Sequence, residues 1–198
     1  MLQPNKILVI RFSSLGDLIL TSPIFRELRR IFPGANLNLL TSVGFGDVLD
    51  NNPHLDRIIK HPRKENFEQL NKLIYELQAE EFDLIYDAHR SMRSRWIVSR
   101  LTAFGMKRKP EVWKINKRTL NRKLLIHLGW NRLQQGLSQR EQWLLPLKQH
   151  APHGLDASTE LFPDQEDTNL IETLMSEHNL LPSGFIAIGP SASQPLKC

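Results

Sequence analysis

The run KILVIRF at residues 6–12 constrains the fold more than any other feature of the sequence. Its aliphatic and β-branched residues are nearly continuous instead of alternating with polar ones, which is typical of a strand buried on both faces of a parallel sheet. An amphipathic pattern follows, in which Leu18, Phe25 and Leu28 share one helix face. A buried strand that leads at once into a helix predicts the first half of a β-α-β unit.

Two features of this first helical segment concern its local geometry. Pro23 either kinks one helix or marks the first turn of a second helix that Ser22 caps. The charged residues of this segment lie mostly opposite the apolar face. They are Arg26, Glu27, Arg29 and Arg30.

Strand and helix patterns alternate along the rest of the chain. The strand patterns fall at residues 36–41, 56–61, 82–89 and 184–189, and the helical ones at 67–78, 92–104, 120–128, 140–148 and 169–178. This alternation predicts an α/β fold, a Rossmann-like doubly wound parallel sheet with right-handed crossovers. The basic stretch at residues 105–136 interrupts the rhythm and is interpreted as an excursion on the carboxyl side of the sheet.

The sequence also predicts two domains. Residues 1–150 form the first domain, and residues 151–168, which contain Pro152, Pro163 and several turn formers, are interpreted as a linker. Residues 169–198 are then the incomplete start of a second domain, since one helix and one strand cannot bury enough surface to fold alone.

Composition favours a cytoplasmic protein. The only cysteine is Cys198, so an intrachain disulfide is impossible and a reducing compartment is expected. Nothing before Lys6 resembles a signal peptide. No stretch approaches the roughly 20 apolar residues that cross a bilayer, so we expect any membrane contact to be peripheral.

Positive charge is concentrated in one short segment of the chain. The net charge is +5, but residues 90–123 alone hold twelve basic residues against a single acid, Glu111. Three interpretations remain open at this point. The segment is a solvated helix face, a nucleic-acid surface in which Trp113 and Trp130 stack on bases, or a site for an anionic glycolipid or sugar phosphate.

The segment SSLGD at residues 13–17 follows the first strand directly. Loops after the carboxyl ends of parallel strands line the ligand crevice, so Asp17 is a candidate base. Ser13 and Ser14 offer hydroxyl groups, and Gly16 allows a close approach of ligand to backbone. The alternative is that Asp17 only complements the helix dipole. The segment lacks the glycine fingerprints of phosphate-binding loops.

A second polar group ends the strand pattern at 82–89. Asp87 and His89 have the same parity, so a direct pair between them is possible, and Arg90 follows. These residues either contact a ligand at the crevice edge or cap the next helix. The histidines show no metal-ligand spacing, and we expect no metal site.

Several segments together resemble the amino-terminal half of the heptosyltransferases that build the lipopolysaccharide inner core, glycosyltransferase family 9. The matching segments are FSSLGDLILTSP, YDAHRSMRS, KRTLNRKLLIHLG, REQW and IAIGPSASQPLK. The resemblance implies the GT-B architecture, in which two Rossmann-like domains face each other across a cleft. Residues 1–150 would then bind the acceptor, and residues 169–198 would begin the domain that binds the nucleotide sugar.

The resemblance also implies roles for individual residues. Asp17 takes the place of the catalytic base in an inverting transfer of heptose from ADP-heptose, and Ser193 and Lys197 match the stretch that contacts the donor phosphates. The acceptor would be lipid A that carries octulosonic acid sugars, at the cytosolic face of the inner membrane. The acceptor-binding positions would be Ser13, Ser14, Gly16, Asp87, His89, Arg90, Arg118, Arg122 and Lys123. No metal or other cofactor is expected.

Two expectations concern the whole chain. Because most of the donor-binding domain would lie beyond Cys198, we expect the 198-residue chain alone to be inactive. The alternative function is a noncatalytic basic module that binds nucleic acid or another polyanion, although under the heptosyltransferase hypothesis no nucleic-acid partner is expected.

Overall fold

The first compact unit is built on a five-stranded parallel sheet with the strand order β3-β2-β1-β4-β5. The structure is a computed structural model, and it describes residues 3–103, 109–116, 126–130, 136–181 and 184–186. The strands are β1 (Lys6–Ile10), β2 (Asn36–Ser42), β3 (Arg57–His61), β4 (Leu84–Asp87) and β5 (Glu111–Lys114). The predicted fold class, a Rossmann-like parallel α/β sheet, is confirmed.

Strand β1 is central and buried on both faces. Ile7 and Val9 pack into one apolar cluster, and Leu8 and Ile10 pack into a second cluster on the other face. None of these four side chains is accessible to solvent. A strand covered from both sides has no polar face to present to water, which explains why its apolar run does not alternate.

Helices cover both faces of the sheet. The helices α1 (Leu15–Ile19), α2 (Ser22–Ile31) and α5 (Gln139–Leu144) contribute to the first cluster, and α3 (Phe67–Ala79) and α4 (Met92–Leu101) contribute to the second. Short 3-10 helices occupy Gly46–Leu49 and Leu145–His150. The second of these replaces the end of the helix predicted at 140–148, because Pro146 cannot donate the backbone hydrogen bond that an α-helix needs.

Pro23 begins a separate helix. α1 ends at Ile19, and Pro23 lies in the first turn of α2. The proline ring there removes only an N–H that an α-helix leaves unpaired in its first turn. The sequence left a kink and a new start open, and the structure selects the new start, with Thr21 and not Ser22 as the N-cap of α2.

The segment predicted as an excursion contains a strand. Glu111–Lys114 pairs in parallel with β4, with Tyr86 opposite Trp113. The prediction was wrong here because the four residues include Glu111 and Lys114 and show no apolar run. An edge strand has a neighbouring strand on only one side, so it needs fewer apolar residues than a central strand does. The helical pattern at 120–128 lies mostly outside the described residues.

Residues beyond 150 fold back onto α2 in the first unit. The chain divides into a unit of Met1–Phe162 and a unit of Pro163–Cys198, so the first unit extends into the range predicted as linker. Arg26 of α2 donates to Glu160 at 2.8 Å and to the carbonyl oxygens of Asp156 and Ser158. Glu27, on the charged side of α2, is fully buried under this segment and paired with Arg30 at 2.7 Å.

The second unit contains α6 (Gln165–Glu177). Asp164 caps its start by accepting from the Asp167 N–H at 2.7 Å, so the helix begins inside the predicted linker. Of the strand predicted at 184–189, the described residues 184–186 are not in a strand, and residues 187–189 lie outside the described part of the chain. The assignment of residues 169–198 to a nucleotide-sugar-binding domain stays a prediction.

Replacing Tyr86 by Phe tests the contact between the sheet and α5. The fully buried Tyr86 hydroxyl donates to the carbonyl oxygen of Trp143. We expect the Tyr86→Phe chain to lose about 1–2 kcal/mol of unfolding free energy in urea titrations near neutral pH, because that buried carbonyl loses its donor. The matched control is Tyr75→Phe, whose side chain is 75% exposed and which we expect to leave stability unchanged.

Candidate functional site

The candidate site lies where β1 and β4 end. These neighbouring strands are in parallel register, with Ile10 opposite Asp87, so the residues that follow each strand meet at one edge of the sheet. In open α/β sheets this carboxyl edge is where ligands bind. Arg11 and the SSLGD segment follow β1, and His89 and Arg90 follow β4.

Asp17 lies at the entrance of the site and keeps contact with solvent. Its side chain is 35% exposed, and its Oδ2 lies 2.6 Å from Nη2 of Arg11. The same Oδ2 accepts from the Ser14 backbone N–H at 3.4 Å and from the Ser14 hydroxyl at 3.3 Å. Asp17 therefore completes a capping box in which Ser14 is the N-cap of α1, and it lies in the first turn, where the alternative expected it to complement the helix dipole. All three of these contacts are made by Oδ2.

Arg11 holds that carboxylate in place. Its side chain is buried, and Nη1 donates to the Ala88 carbonyl oxygen at 2.6 Å. The guanidinium carbon lies 4.6 Å from the ring centre of Trp143, within the range of a cation–π contact. Burial lowers the pKa of Arg11, and the negative charges of Asp17 and Asp87 partly oppose that shift. Even so, an arginine remains a cation at neutral pH.

A cavity of about 190 Å³ opens beside this ion pair. Its lining combines one anion, one cation, three side-chain amides and an aromatic ring, contributed by β1, α1, α5 and the residues after β5. The lining residues are Arg11, Asp17, Ile115, Asn116, Gln139, Gln142 and Trp143. Carboxylate and amide groups suit a ligand rich in hydroxyl groups, since they offer both acceptors and donors.

Asp87 lies behind the cavity and organises the turn that leads to α4. It is 4% exposed. Its Oδ1 accepts from the backbone N–H groups of His89 at 3.0 Å and Arg90 at 2.7 Å, and its Oδ2 accepts from the Ser94 hydroxyl at 3.1 Å. The structure therefore joins Asp87 to the backbone of His89, where the sequence suggested a pair of side chains. Ser91, not Asp87, is the N-cap of α4.

His89 and Arg90 support the edge of the site. The His89 ring meets Phe12 edge to face at 5.7 Å. Arg90, at a φ of 50°, donates through Nη1 to the carbonyl oxygen of Ile115 at 3.1 Å. Because Ile115 lines the cavity, Arg90 fixes part of its wall from behind. Direct contact of either residue with an acceptor stays a prediction.

The remaining predicted site residues divide into two groups. Ser13 is half-buried, whereas Ser14 and Gly16 are exposed, and a Cβ at Gly16 would meet no atom within 4 Å. The protein itself therefore does not require a glycine at this position. Five predicted residues lie outside the described part of the chain: Arg118, Arg122, Lys123, Ser193 and Lys197. The first three follow the cavity-lining Asn116 closely in sequence.

Sequence reasoning missed Arg11 and Trp143. A signal for Arg11 was present, because it is the one charged residue among the apolar residues 7–12 of the run KILVIRF. A buried charge needs a partner, and that partner is Asp17. Trp143 belongs to the REQW segment that contributed to the family resemblance, but nothing in its spacing predicted a stack on Arg11.

The described residues hold neither a metal-binding cluster nor a membrane-spanning helix. They contain no group of three or more His, Cys, Asp or Glu side chains that could hold a metal ion. No helix among them combines the length and the apolar character needed to span a bilayer.

Comparison with known proteins identifies relatives of the chain. No family model matches it. The curated protein lipopolysaccharide heptosyltransferase 1 of Pseudomonas aeruginosa is 27% identical over 101 residues, which covers 46% of this chain and 28% of that protein. The chain is heptosyltransferase-like. This confirms the resemblance noted in the sequence.

Solved structures show the same fold. A family 9 glycosyltransferase of Veillonella parvula matches with a TM-score of 0.65 and 18% identity, over 90% of this chain and 51% of that one. ADP-heptose lipopolysaccharide heptosyltransferase II of E. coli matches with a TM-score of 0.58 and 16% identity, over 89% of this chain and 51% of that one. The E. coli heptosyltransferase WaaC with ADP-2-deoxy-2-fluoro heptose matches with a TM-score of 0.52 and 21% identity, over 78% of this chain and 50% of that one.

The heptosyltransferase-like chain thus spans about half the length of these solved structures and 28% of the curated relative. All of these relatives are glycosyltransferases, and the fold of this chain is found in glycosyltransferase family 9. The roles of individual site residues stay predictions.

A double-mutant cycle on Arg11 and Asp17 measures the ion pair. We expect Asp17→Asn to cost about 1–2 kcal/mol of unfolding free energy, because it leaves a buried guanidinium without this counter-ion, while solvent screens the partly exposed carboxylate. In the Arg11→Met background the same change should cost much less. Urea unfolding of the four chains gives the coupling energy. Equal costs of Asp17→Asn in both backgrounds would show that the pair does not stabilise the fold.

Proposed function

We propose that the chain is the acceptor-binding half of an inverting GT-B heptosyltransferase that transfers heptose from ADP-heptose to the lipopolysaccharide inner core. One observation carries the proposal: the Asp17 carboxylate lines a cavity at the carboxyl end of β1, while its contacts with Arg11 and Ser14 are made through Oδ2. A general base needs an oxygen within hydrogen-bond reach of the proton that it accepts. The names of the curated relative and of two solved structures support the choice of sugar and acceptor.

The proposed reaction uses Asp17 to take the proton of an acceptor hydroxyl. As the proton moves to Oδ1, the hydroxyl oxygen forms a bond to the anomeric carbon of the heptose. The bond between that carbon and the phosphate oxygen breaks, and ADP leaves from the opposite face of the sugar. The configuration at the anomeric carbon is thereby inverted. Arg11 keeps the carboxylate in one orientation through Oδ2, and Asn116, Gln139 and Gln142 offer amide groups to the acceptor hydroxyls.

The acceptor in this proposal is an anionic glycolipid, lipid A with octulosonic acid sugars. Arg118, Arg122 and Lys123 follow the cavity-lining Asn116 in sequence, and their charges suit phosphates and carboxylates. The protein would meet this lipid at the cytosolic face of the inner membrane, as a peripheral protein. No nucleic-acid partner is proposed.

The donor side of the proposal rests on the resemblance. Ser193 and Lys197 would contact the diphosphate, where a cation and a hydroxyl stabilise the charge that develops on ADP. Fixed cations of this kind make a metal or other cofactor unnecessary. Because the chain spans about half the length of its solved relatives, we propose that the 198-residue chain alone does not transfer heptose.

Binding of the acceptor is the first test. We expect the purified chain to bind the glycolipid acceptor in detergent micelles more tightly than it binds duplex DNA or single-stranded RNA at the same salt concentration. Fluorescence anisotropy with labelled ligands measures both. A triple change of Arg118, Arg122 and Lys123 to Gln should weaken acceptor binding at least tenfold, since each cation contributes to phosphate contact. Tighter binding to nucleic acid would instead support the basic-module alternative.

Transfer is the second test. Incubation of the chain with ADP-heptose and acceptor should give no heptose-extended product by mass spectrometry. A fusion to the carboxyl-terminal half of the Pseudomonas aeruginosa relative should restore product. In that fusion we expect Asp17→Asn to lower the rate about 10²–10⁴-fold, as for loss of a general base.

The matched control in the fusion is Asp47→Asn, a carboxylate with a 70% exposed side chain in the Gly46–Leu49 turn, which should leave the rate unchanged. Retained turnover of a folded Asp17→Asn fusion would remove Asp17 as the base. Product from the 198-residue chain alone would contradict the proposed inactivity.

A further inference from the structure

Helix α4 presents an exposed row of apolar and basic side chains. Met92 is 88% exposed and Trp96 is 42% exposed. Arg95 and Arg100 are exposed on the same face, since residues 92, 95, 96, 99 and 100 follow the spacing of one helix face. We infer that this row, the α4 surface, docks the protein on the anionic surface of a lipid bilayer.

The apolar members of the α4 surface are not part of the core. Ser94, Ile97 and Leu101 form the buried side of the same helix, and Ile97 and Leu101 pack into the cluster beneath the sheet. Met92 and Trp96 therefore lie on the outer side of α4, because other residues of the helix already make its contacts with the core. Tryptophan is enriched at the boundary between lipid and water, where its ring lies at the level of the headgroups.

The charge of α4 complements an anionic surface. The helix contains three arginines and no acid. Arg93 is used internally, since its Nε lies 2.5 Å from Oε1 of Glu65. Arg95 and Arg100 make no ion pair with any residue that the structure describes, and the Arg100 guanidinium lies 5.9 Å from the Trp96 ring centre. A helix surface that combines basic side chains with exposed apolar ones is the kind that binds anionic lipid.

The residues that follow α4 in the sequence are also rich in basic side chains. Lys107, Arg108 and Lys109 follow, and no acid occurs between Met92 and Lys109. The outer face of the neighbouring α3 is mixed, since the exposed Lys72 and Tyr75 stand among the exposed Glu68 and Glu76. Of these two neighbouring helices, α4 therefore carries the cationic and apolar combination.

A bilayer suits this surface better than a nucleic acid. A phosphate backbone would pair with Arg95 and Arg100 but offers no apolar environment to Met92, whereas the boundary of a bilayer accepts both. The position also fits, because α4 starts from the turn that Asp87 organises at the edge of the candidate site. The inference rests on the membrane association proposed above and does not depend on the transfer reaction.

Vesicle flotation of the 198-residue chain tests the inference. We expect binding to vesicles of phosphatidylglycerol and phosphatidylethanolamine, weak binding to pure phosphatidylcholine, and release at high salt. Arg95→Gln should lower the partition coefficient about fivefold, the usual contribution of one basic residue near an anionic surface. Trp96→Ser/Arg95→Gln should lower it further.

The matched control is Leu145→Ser/Lys148→Gln, which also removes one exposed apolar and one exposed basic side chain, from the 3-10 helix Leu145–His150 on the other face of the sheet. It should bind vesicles as the unchanged chain does. Equal losses in the two double variants would overturn the assignment to α4, and so would unchanged binding of the α4 variant.

Fluorescence gives a second readout that does not depend on charge. Quenching of tryptophan by brominated lipids should disappear in Trp96→Phe and persist in Trp130→Phe, although Trp130 is 57% exposed. Persistence in Trp96→Phe, or binding of RNA in place of vesicles, would overturn the inference. A chain that binds vesicles through α4 but not the acceptor glycolipid would contradict the proposed function and leave this inference standing.

Discussion

Burial of β1 from both sides is the constraint on which the rest of the structure depends. Its residues Ile7 to Ile10 are completely covered, two by α1, α2 and α5 and two by α3 and α4. A strand of this kind cannot lie at an edge, so the chain must cross over on each face to supply a neighbour on each side. The order β3-β2-β1-β4-β5 satisfies this requirement and brings the carboxyl ends of β1 and β4 together.

The candidate site uses the same burial to control a charge. Arg11 comes directly after β1 and is buried inside the fold, where an unpaired cation is costly. Three partners compensate it: the Asp17 carboxylate, the Ala88 carbonyl oxygen and the Trp143 ring. Asp17 is thereby held by one oxygen at the edge of a cavity, and this is the property that a positioned base requires. Its capping of α1 and its proposed chemistry are compatible because they use different oxygens.

The segment after residue 150 shows how a surface helix acquires a second buried face. α2 already packs on the sheet through Ile24, Phe25 and Leu28. Residues 154–160 then cover its charged side, where Arg26 binds Glu160 and two carbonyl oxygens, and Glu27 loses all contact with water. A polar face on a helix is therefore not always a solvent face, since hydrogen bonds from a returning chain can replace water.

The sequence by itself determined the fold class, the central strand and the location of Asp17 at a strand-to-helix junction, because these depend on local periodicity and on the parallel arrangement it requires. It also pointed to the heptosyltransferase likeness. Only the tertiary structure decided that Pro23 starts a new helix, that Glu111–Lys114 is a strand, that Glu27 is buried and that Asp87 binds backbone N–H groups. It alone joined the neighbouring Arg11 and Asp17 to Trp143, which lies far from both along the chain. Pairing of an edge strand and compensation of a buried charge depend on what lies nearby in space, and no local pattern in a single sequence records that.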